Sequence, residues 1–203
     1  MVVFDLDGTL TSVDSLWQYL HEAFGTWDRG MDTAMRYRNG EISYKEWAEA
    51  DTRLWAGAPL SKVTSMLERI SYRDGARDVF TQLKIRGVKI VILSAGLSIL
   101  ADKAARDLGA DLAVANELQT DDGRLTGEIY VKVAVNQKQE IVKQVASSLN
   151  VPLAEVALVG DRGFDLANEE CLRIAFMPKD AIARNRAEVI IENDDLRAIL
   201  QYL

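Results

Sequence analysis

A chain of 203 residues, 48% hydrophobic and 27% charged, is long enough to bury a core without disulfides or structural metals, as one domain or a domain with an insertion. Its formal charge of −7 argues against a nucleic-acid partner, which needs clustered lysine and arginine. The one cysteine, Cys171, excludes an internal disulfide and any multi-cysteine metal site. No apolar run approaches the ~20 residues of a membrane span. Met1 leads straight into Val2-Val3-Phe4 without a basic segment. The expectation is a soluble, cytoplasmic protein with neither membrane nor nucleic acid as partner.

The first element is the start of "VVFDLDGTLT". A short apolar run ending in charge predicts a buried strand that delivers Asp5 and Asp7 to a sheet edge. From about Val13 to Arg73 no strand run occurs, and this stretch holds all four tryptophans (Trp17, Trp27, Trp47, Trp55) and the only histidine, His21. Helical spacing such as Trp47, Leu54 and Trp55 predicts a helical insertion over the strand ends. Ala76 to Arg86, with Val79, Phe80 and Leu83, reads as an amphipathic helix. "VKIVIL" (Val88 to Leu93) reads as a strand ending at Ser94-Ala95-Gly96. Asp122-Gly123, within Asp121 to Gly127, predicts a hairpin. Lys138 opens a helix over Gln139 to Leu149, with Ile141, Val142 and Val145 apolar. Val156 to Val159 is a strand ending at Gly160-Asp161, with Asp165 on the opening turn of a helix, and Ile174 to Phe176 is a fainter strand.

Continuously apolar strands alternating with such helices indicate an α/β fold with a doubly wound parallel sheet. The predicted division is an α/β core from residues 1–13 and 74–203, with a helical cap from residues 14–73. In an open sheet of this kind the ligand site lies beyond the carboxyl ends of the strands. Asp5, Asp7, Ser94 and Asp161 all fall there.

Taken alone, Asp-x-Asp-Gly is common in solvated turns. An EF-hand loop fails on spacing, because Gly8 is fourth from Asp5 rather than sixth and no glutamate stands at the twelfth position. Mg²⁺ held by one or two carboxylates and phosphate oxygens fits. Asp161 and Asp165 stand four apart at another strand end, and Ser94 with nearby backbone N–H groups can hold phosphate oxygens. Four acids, one hydroxyl and one lysine make a self-consistent phosphoryl-transfer site, in which a metal offsets carboxylate repulsion and one acid is a nucleophile.

These residues resemble the haloacid dehalogenase superfamily of phosphatases. The match is D-x-D-G-T (Asp5, Asp7, Gly8, Thr9), the Ser94 motif, Lys138, and G-D-x-x-x-D (Gly160, Asp161, Asp165), in family order and spacing. The helical cap, "ANELQTDDGRLTGE" and "GAPLSKV" look like the phosphoserine phosphatase branch. The resemblance implies a Mg²⁺-dependent phosphomonoester hydrolase acting through an aspartyl phosphate on a small phosphorylated metabolite. Asp5 is then the nucleophile and Asp7 the general acid/base. Mg²⁺ is held by Asp5, the Asp7 backbone carbonyl and Asp161, with Asp165 in support. Ser94, Ala95 and Lys138 bind the phosphoryl group, and Thr9 orients the loop.

In the cap, Asp14 stands where the branch has a glutamate for the substrate ammonium. Asp51 stands at the position of its carboxylate-binding arginine. Arg53 is two residues along, about 200° of helical rotation away. Arg162 and Phe164 replace the branch's glycine and asparagine. These departures leave the substrate open between phosphoserine and another small ester. A phosphotransferase or phosphomutase shares all four motifs. A phosphoaspartate receiver domain does not fit, since its acidic pair is adjacent and it lacks a cap. His21, Cys171 and the tryptophans read first as packing residues.

Overall fold

The computed structural model describes residues 1–203. Strand β1 (Val2–Phe4) pairs in parallel with β2 (Ile90–Leu97) on one side and β5 (Ala157–Gly160) on the other, with Val2 opposite both Ile90 and Ala157. With β3 (Leu112–Asp121), β4 (Arg124–Tyr130), β6 (Leu172–Phe176) and β7 (Val189–Ile191), they form a seven-stranded sheet in the order β4-β3-β2-β1-β5-β6-β7. Only β4 is antiparallel, returning from β3 through Asp122 and Gly123, both at positive φ (42° and 70°). That is the backbone a two-residue hairpin turn requires. The chain winds outward from β1 in both directions, so β1 lies at the switch point of the topology, where α/β proteins place their ligands.

Strands this apolar are explained by burial on both faces. Val2 and Phe4 face one cluster with α5 (Ala76–Ile85) and α6 (Ser98–Leu108), and Phe4 stacks on Phe80 at 5.1 Å between ring centroids. Val3 faces the other cluster, with Val142 and Ala146 of α7 (Lys138–Ser148) and Ala183 of α8 (Ala181–Arg186). The period-2 alternation of a strand thus divides three residues between two cores.

Four helices connect β1 to α5: α1 (Leu16–Phe24), α2 (Trp27–Arg38), α3 (Tyr44–Arg53) and α4 (Leu60–Leu67). Their boundaries are written locally. The Ser15 hydroxyl accepts from Gln18 N, Gly25 ends α1 at φ 67°, and Ser43 with Glu46 forms a reciprocal capping box for α3. Trp17 packs on Trp47 and Trp55 with centroids 4.9 and 5.7 Å apart. Leu16, Leu20, Ala48 and Trp55 bury themselves in the same apolar cluster as Phe4 and Ile92. Leu125 and Ile129 of β4 turn into that cluster while their neighbours face solvent.

Three elements differ from expectation. β2 runs on to Leu97, so Ser94-Ala95-Gly96 continue the strand, with its register against β3 shifting between Leu93 and Leu97. Asp165 sits in a turn closed by Asp165 N donating to Arg162 O at 3.1 Å, not on a helix. Val189–Ile191 adds an edge strand too short to stand out as a pattern.

Asn116 joins these layers. Fully buried on β3, its Nδ2 donates to Ala95 O (2.9 Å), Val133 O (3.0 Å) and the Tyr44 hydroxyl (3.0 Å). Its Oδ1 accepts from Lys132 N (2.9 Å) and Val133 N (2.8 Å). Asn116→Ala takes the side-chain partner from both the N–H and the C=O of buried Val133 and is expected to lower unfolding stability by about 3 kcal/mol. Denaturant titration checks this, and a loss under about 1 kcal/mol, the worth of one ordinary hydrogen bond, contradicts the linking role.

Candidate active site

The carboxyl ends of β1, β2 and β5 open on a cavity of about 300 Å³. β1 ends in Asp5, whose N–H donates to Val159 O at 2.9 Å, fixing the first acid to the neighbouring strand. β5 ends in Gly160, followed by Asp161. A side chain at 160 is excluded because its Cβ would stand 2.3 Å from the Asp165 Cβ. Lys138, the first residue of α7, is buried and donates from Nζ to Asp5 Oδ1 and to Asp165 Oδ1, each at 2.6 Å. Its ammonium also lies 5.2 Å from the centre of the Phe164 ring. Asp165 Oδ2 accepts from Arg162 N at 3.0 Å. Asp5 Oδ2 has no protein donor.

Asp7 is held differently. Its Oδ2 accepts from Leu16 N at the start of α1 (2.7 Å), while Oδ1 is buried without a partner. Burial foremost, opposed by the Leu16 bond and abetted by the Asp5 charge, pushes its carboxyl up to about 7. Burial likewise raises Asp161 and Asp165, and Asp5 is the leading charge in both cases. Burial works against the Lys138 ammonium, but Asp165 and Asp5 outweigh it and hold it protonated well above the usual lysine range.

The residues fit a divalent cation. Asp5, Asp161 and Asp165 bring carboxylate oxygens within 4.8 Å of one another. Asp161 Oδ2 is buried without a hydrogen-bond donor. A Cβ at Gly8, where φ is +80°, would sit 2.5 Å from that oxygen. Three buried acids against one lysine leave negative charge that a hard, oxygen-seeking ion satisfies.

Ser94 is buried and lines the cavity with Ala95 and Gly96. Its hydroxyl accepts from Gly96 N at 2.9 Å, and a Cβ at Gly96 would approach Ser94 Oγ at 3.0 Å and Asp7 Oδ2 at 3.3 Å. Thr9 is buried beneath the loop, its hydroxyl unpartnered. On the helical side the Ala95 carbonyl accepts from Trp17 Nε1 (3.3 Å), the Tyr44 hydroxyl and Asn116, so this strand end and the aromatic wall are one unit.

The structure brings Asp5, Asp7, Asp14, Ser94, Ala95, Lys138 and Asp161 together around the cavity, with Asp165 immediately behind Lys138. It does not bring Asp51 or Arg53 there. Asp51 is buried among the helices, with Oδ2 3.0 Å from His21 Nε2 and Oδ1 accepting from the Thr33 hydroxyl. His21 continues to Thr26 through Nδ1 at 2.8 Å. Arg53 is exposed, pairs with Glu49 at 3.6 Å and lines a separate groove beside Glu117 and Glu128. Asp14 pairs with Lys179 at 3.2 Å. Arg38, Tyr44 and Trp47 line the cavity without having been singled out for it in the sequence. Nothing local distinguishes Arg38 from Arg36, which pairs outside with Glu41.

Residues 2–167 match the family model of the haloacid dehalogenase-like hydrolases. The phosphoserine phosphatase of Methanocaldococcus jannaschii is 31% identical over all of this chain and 97% of its own length. That of Campylobacter jejuni subsp. doylei is also 31% identical, over 99% of its length. A solved phospho-aspartyl intermediate analogue of phosphoserine phosphatase superposes with a TM-score of 0.84 at 30% identity, covering 100% of this chain and 97% of that one. The chain belongs to the haloacid dehalogenase-like hydrolase family, and its fold and acidic site are of the phosphatase kind.

Asp51→Ala removes the partner of buried His21 and half-buried Thr33 and is expected to cost about 2–3 kcal/mol of stability. KM for any turned-over ester should change by less than about twofold, far below the cost of a lost charged contact. Denaturation alongside steady-state kinetics checks both. A KM rise without loss of stability would return Asp51 to substrate binding.

Proposed function

We propose that this chain is a Mg²⁺-dependent phosphomonoester hydrolase acting through an aspartyl phosphate, on a small phosphorylated metabolite of phosphoserine's size. The observation that carries the reading is Lys138 clamped between Asp5 Oδ1 and Asp165 Oδ1, which leaves Asp5 Oδ2 free of protein donors beside the cavity. A carboxylate held at one oxygen and open at the other is oriented for in-line attack.

Asp5 Oδ2 attacks phosphorus as the P–O bond to the alcohol breaks. The departing alkoxide takes the proton of the Asp7 carboxyl, which burial keeps protonated to about pH 7 while Leu16 N fixes its other oxygen. The Asp7 carboxylate then accepts a proton from water as that water attacks the phosphoryl group, releasing phosphate and restoring Asp5. Ser94 Oγ, the Ala95 N–H and the Lys138 ammonium hold the phosphoryl oxygens through the transfer. Asp5, the Asp7 backbone carbonyl and Asp161, with Asp165 in support, would hold Mg²⁺, which would neutralise charge on the acids and the phosphoryl oxygens. Residues 14–73 act as a cap that limits water and substrate size.

Phosphoserine is the substrate named for the relatives, and it is the first ester to test. Modest efficiency is expected, because the cap position at which the branch carries arginine holds Asp51, turned inward to His21. No helix is long and apolar enough to cross a membrane.

Asp5→Asn is expected to remove phosphate release by more than the 10²–10⁴-fold typical of an acid/base residue alone, with an unchanged circular dichroism spectrum. Near-wild-type release by pure variant would falsify the nucleophile assignment. Stripping divalent metal should abolish release and Mg²⁺ should restore it. Full activity of metal-free protein in excess chelator contradicts the metal site.

A further inference from the structure

The outer part of the cavity differs in charge from its acidic centre. Arg38, the last residue of α2, lines it from the helical side, and Arg162, in the turn after β5, lines it from the sheet side. Neither guanidinium forms an ion pair or hydrogen bond with a protein carboxylate. The acid at this rim, Asp14, is already matched: Lys179 Nζ lies 3.2 Å from its Oδ1 and donates to its Oδ2 at 3.3 Å. Lys179 is itself fixed, its backbone N–H donating to Asp161 O at 2.8 Å. Trp17, Tyr44 and Trp47, with Ser15, Val135 and Phe164, also line the cavity and offer an incoming molecule no further charge.

The unmatched groups at this end are therefore cationic. Guanidinium forks bind planar carboxylates in a bidentate manner. A substrate ammonium would meet two like charges and an acid already neutralised by a tethered lysine. We propose that Arg38 and Arg162 form a carboxylate subsite, and that the Lys179–Asp14 pair withholds the one acid that could receive an ammonium. The substrate class is then a small phosphorylated hydroxy acid without an amino group. This rests on the hydrolase reading above and narrows its substrate.

Three esters of one two-carbon frame separate the terms: 2-phosphoglycolate with a carboxylate, O-phosphoethanolamine with an ammonium, and ethyl phosphate with neither. Phosphate release by the full chain with Mg²⁺ is measured as kcat/KM, with p-nitrophenyl phosphate as a control. Wild type is expected to favour 2-phosphoglycolate over O-phosphoethanolamine by at least about tenfold, and Arg38→Gln to reduce the 2-phosphoglycolate to ethyl phosphate ratio by about tenfold. Lys179→Met, which uncovers Asp14, should raise O-phosphoethanolamine relative to ethyl phosphate by about threefold, as suits an exposed pair.

A wild-type preference for the ammonium ester, or a ratio that Arg38→Gln leaves unchanged, overturns the subsite while turnover of p-nitrophenyl phosphate keeps the hydrolase reading standing. If none of the four esters releases phosphate, the hydrolase reading falls and the subsite falls with it.

Discussion

Everything at this site depends on one buried cation. Lys138 makes two 2.6 Å bonds, one to Asp5 at the end of β1 and one to Asp165 in the turn that follows β5. Taking an ammonium out of water costs several kcal/mol, and only well-placed counter-charges offset that. The positions of β1, β5 and α7 are therefore set against one another to within hydrogen-bond tolerance. Yet one lysine cannot satisfy three carboxylates in a dry site. Asp161 and Asp165 are held above the usual carboxylate range by burial and by Asp5. A divalent cation fits the charge that Lys138 leaves over.

The acid that Lys138 does not touch carries its own cost. Asp7 is raised from 3.8 to about 7, principally by burial. Between those values the folded chain binds more protons there than the unfolded chain. Its contribution to stability therefore falls as pH rises from about 4 to about 7, and stays unfavourable above. Nothing in packing requires a buried acid at that position. In the proposed reaction its use is chemical: a neutral carboxyl near pH 7 can donate a proton, and a solvated aspartate cannot. The Leu16 N–H ties that acid to the helices, while the Ala95 carbonyl and Asn116 tie the helices to the sheet.

The sheet was legible because strands buried on both faces are written as unbroken apolar runs, and the acids follow those runs directly. Asp5, Asp7 and Asp161 could be placed at one edge from that pattern alone. Lys138 came from motif order rather than from periodicity, since a lysine opening a helix is ordinarily a surface residue. The stretch between β1 and α5 was legible only as helical. Asp51 reads as a substrate residue only through the resemblance, because its partners, His21 and Thr33, lie 30 and 18 residues earlier in the chain, and no local spacing reports such a bond. Arg38 carries no signal in the sequence for the converse reason. Its meaning lies in having no partner, which only the folded surroundings disclose. Asp165 leaves its expected helix because Gly160 has no Cβ and lets the turn fold back over the strand.

The central claim is that the phosphoryl group passes through the Asp5 carboxylate, and trapping it there tests this most directly. Wild-type protein mixed with a radiolabelled phosphomonoester and Mg²⁺, quenched in acid during turnover and digested, should carry label on the peptide containing Asp5. That label should be released by hydroxylamine, as an acyl phosphate is. Burst kinetics with no protein-bound phosphate, or label on the peptide containing Ser94, would contradict the account.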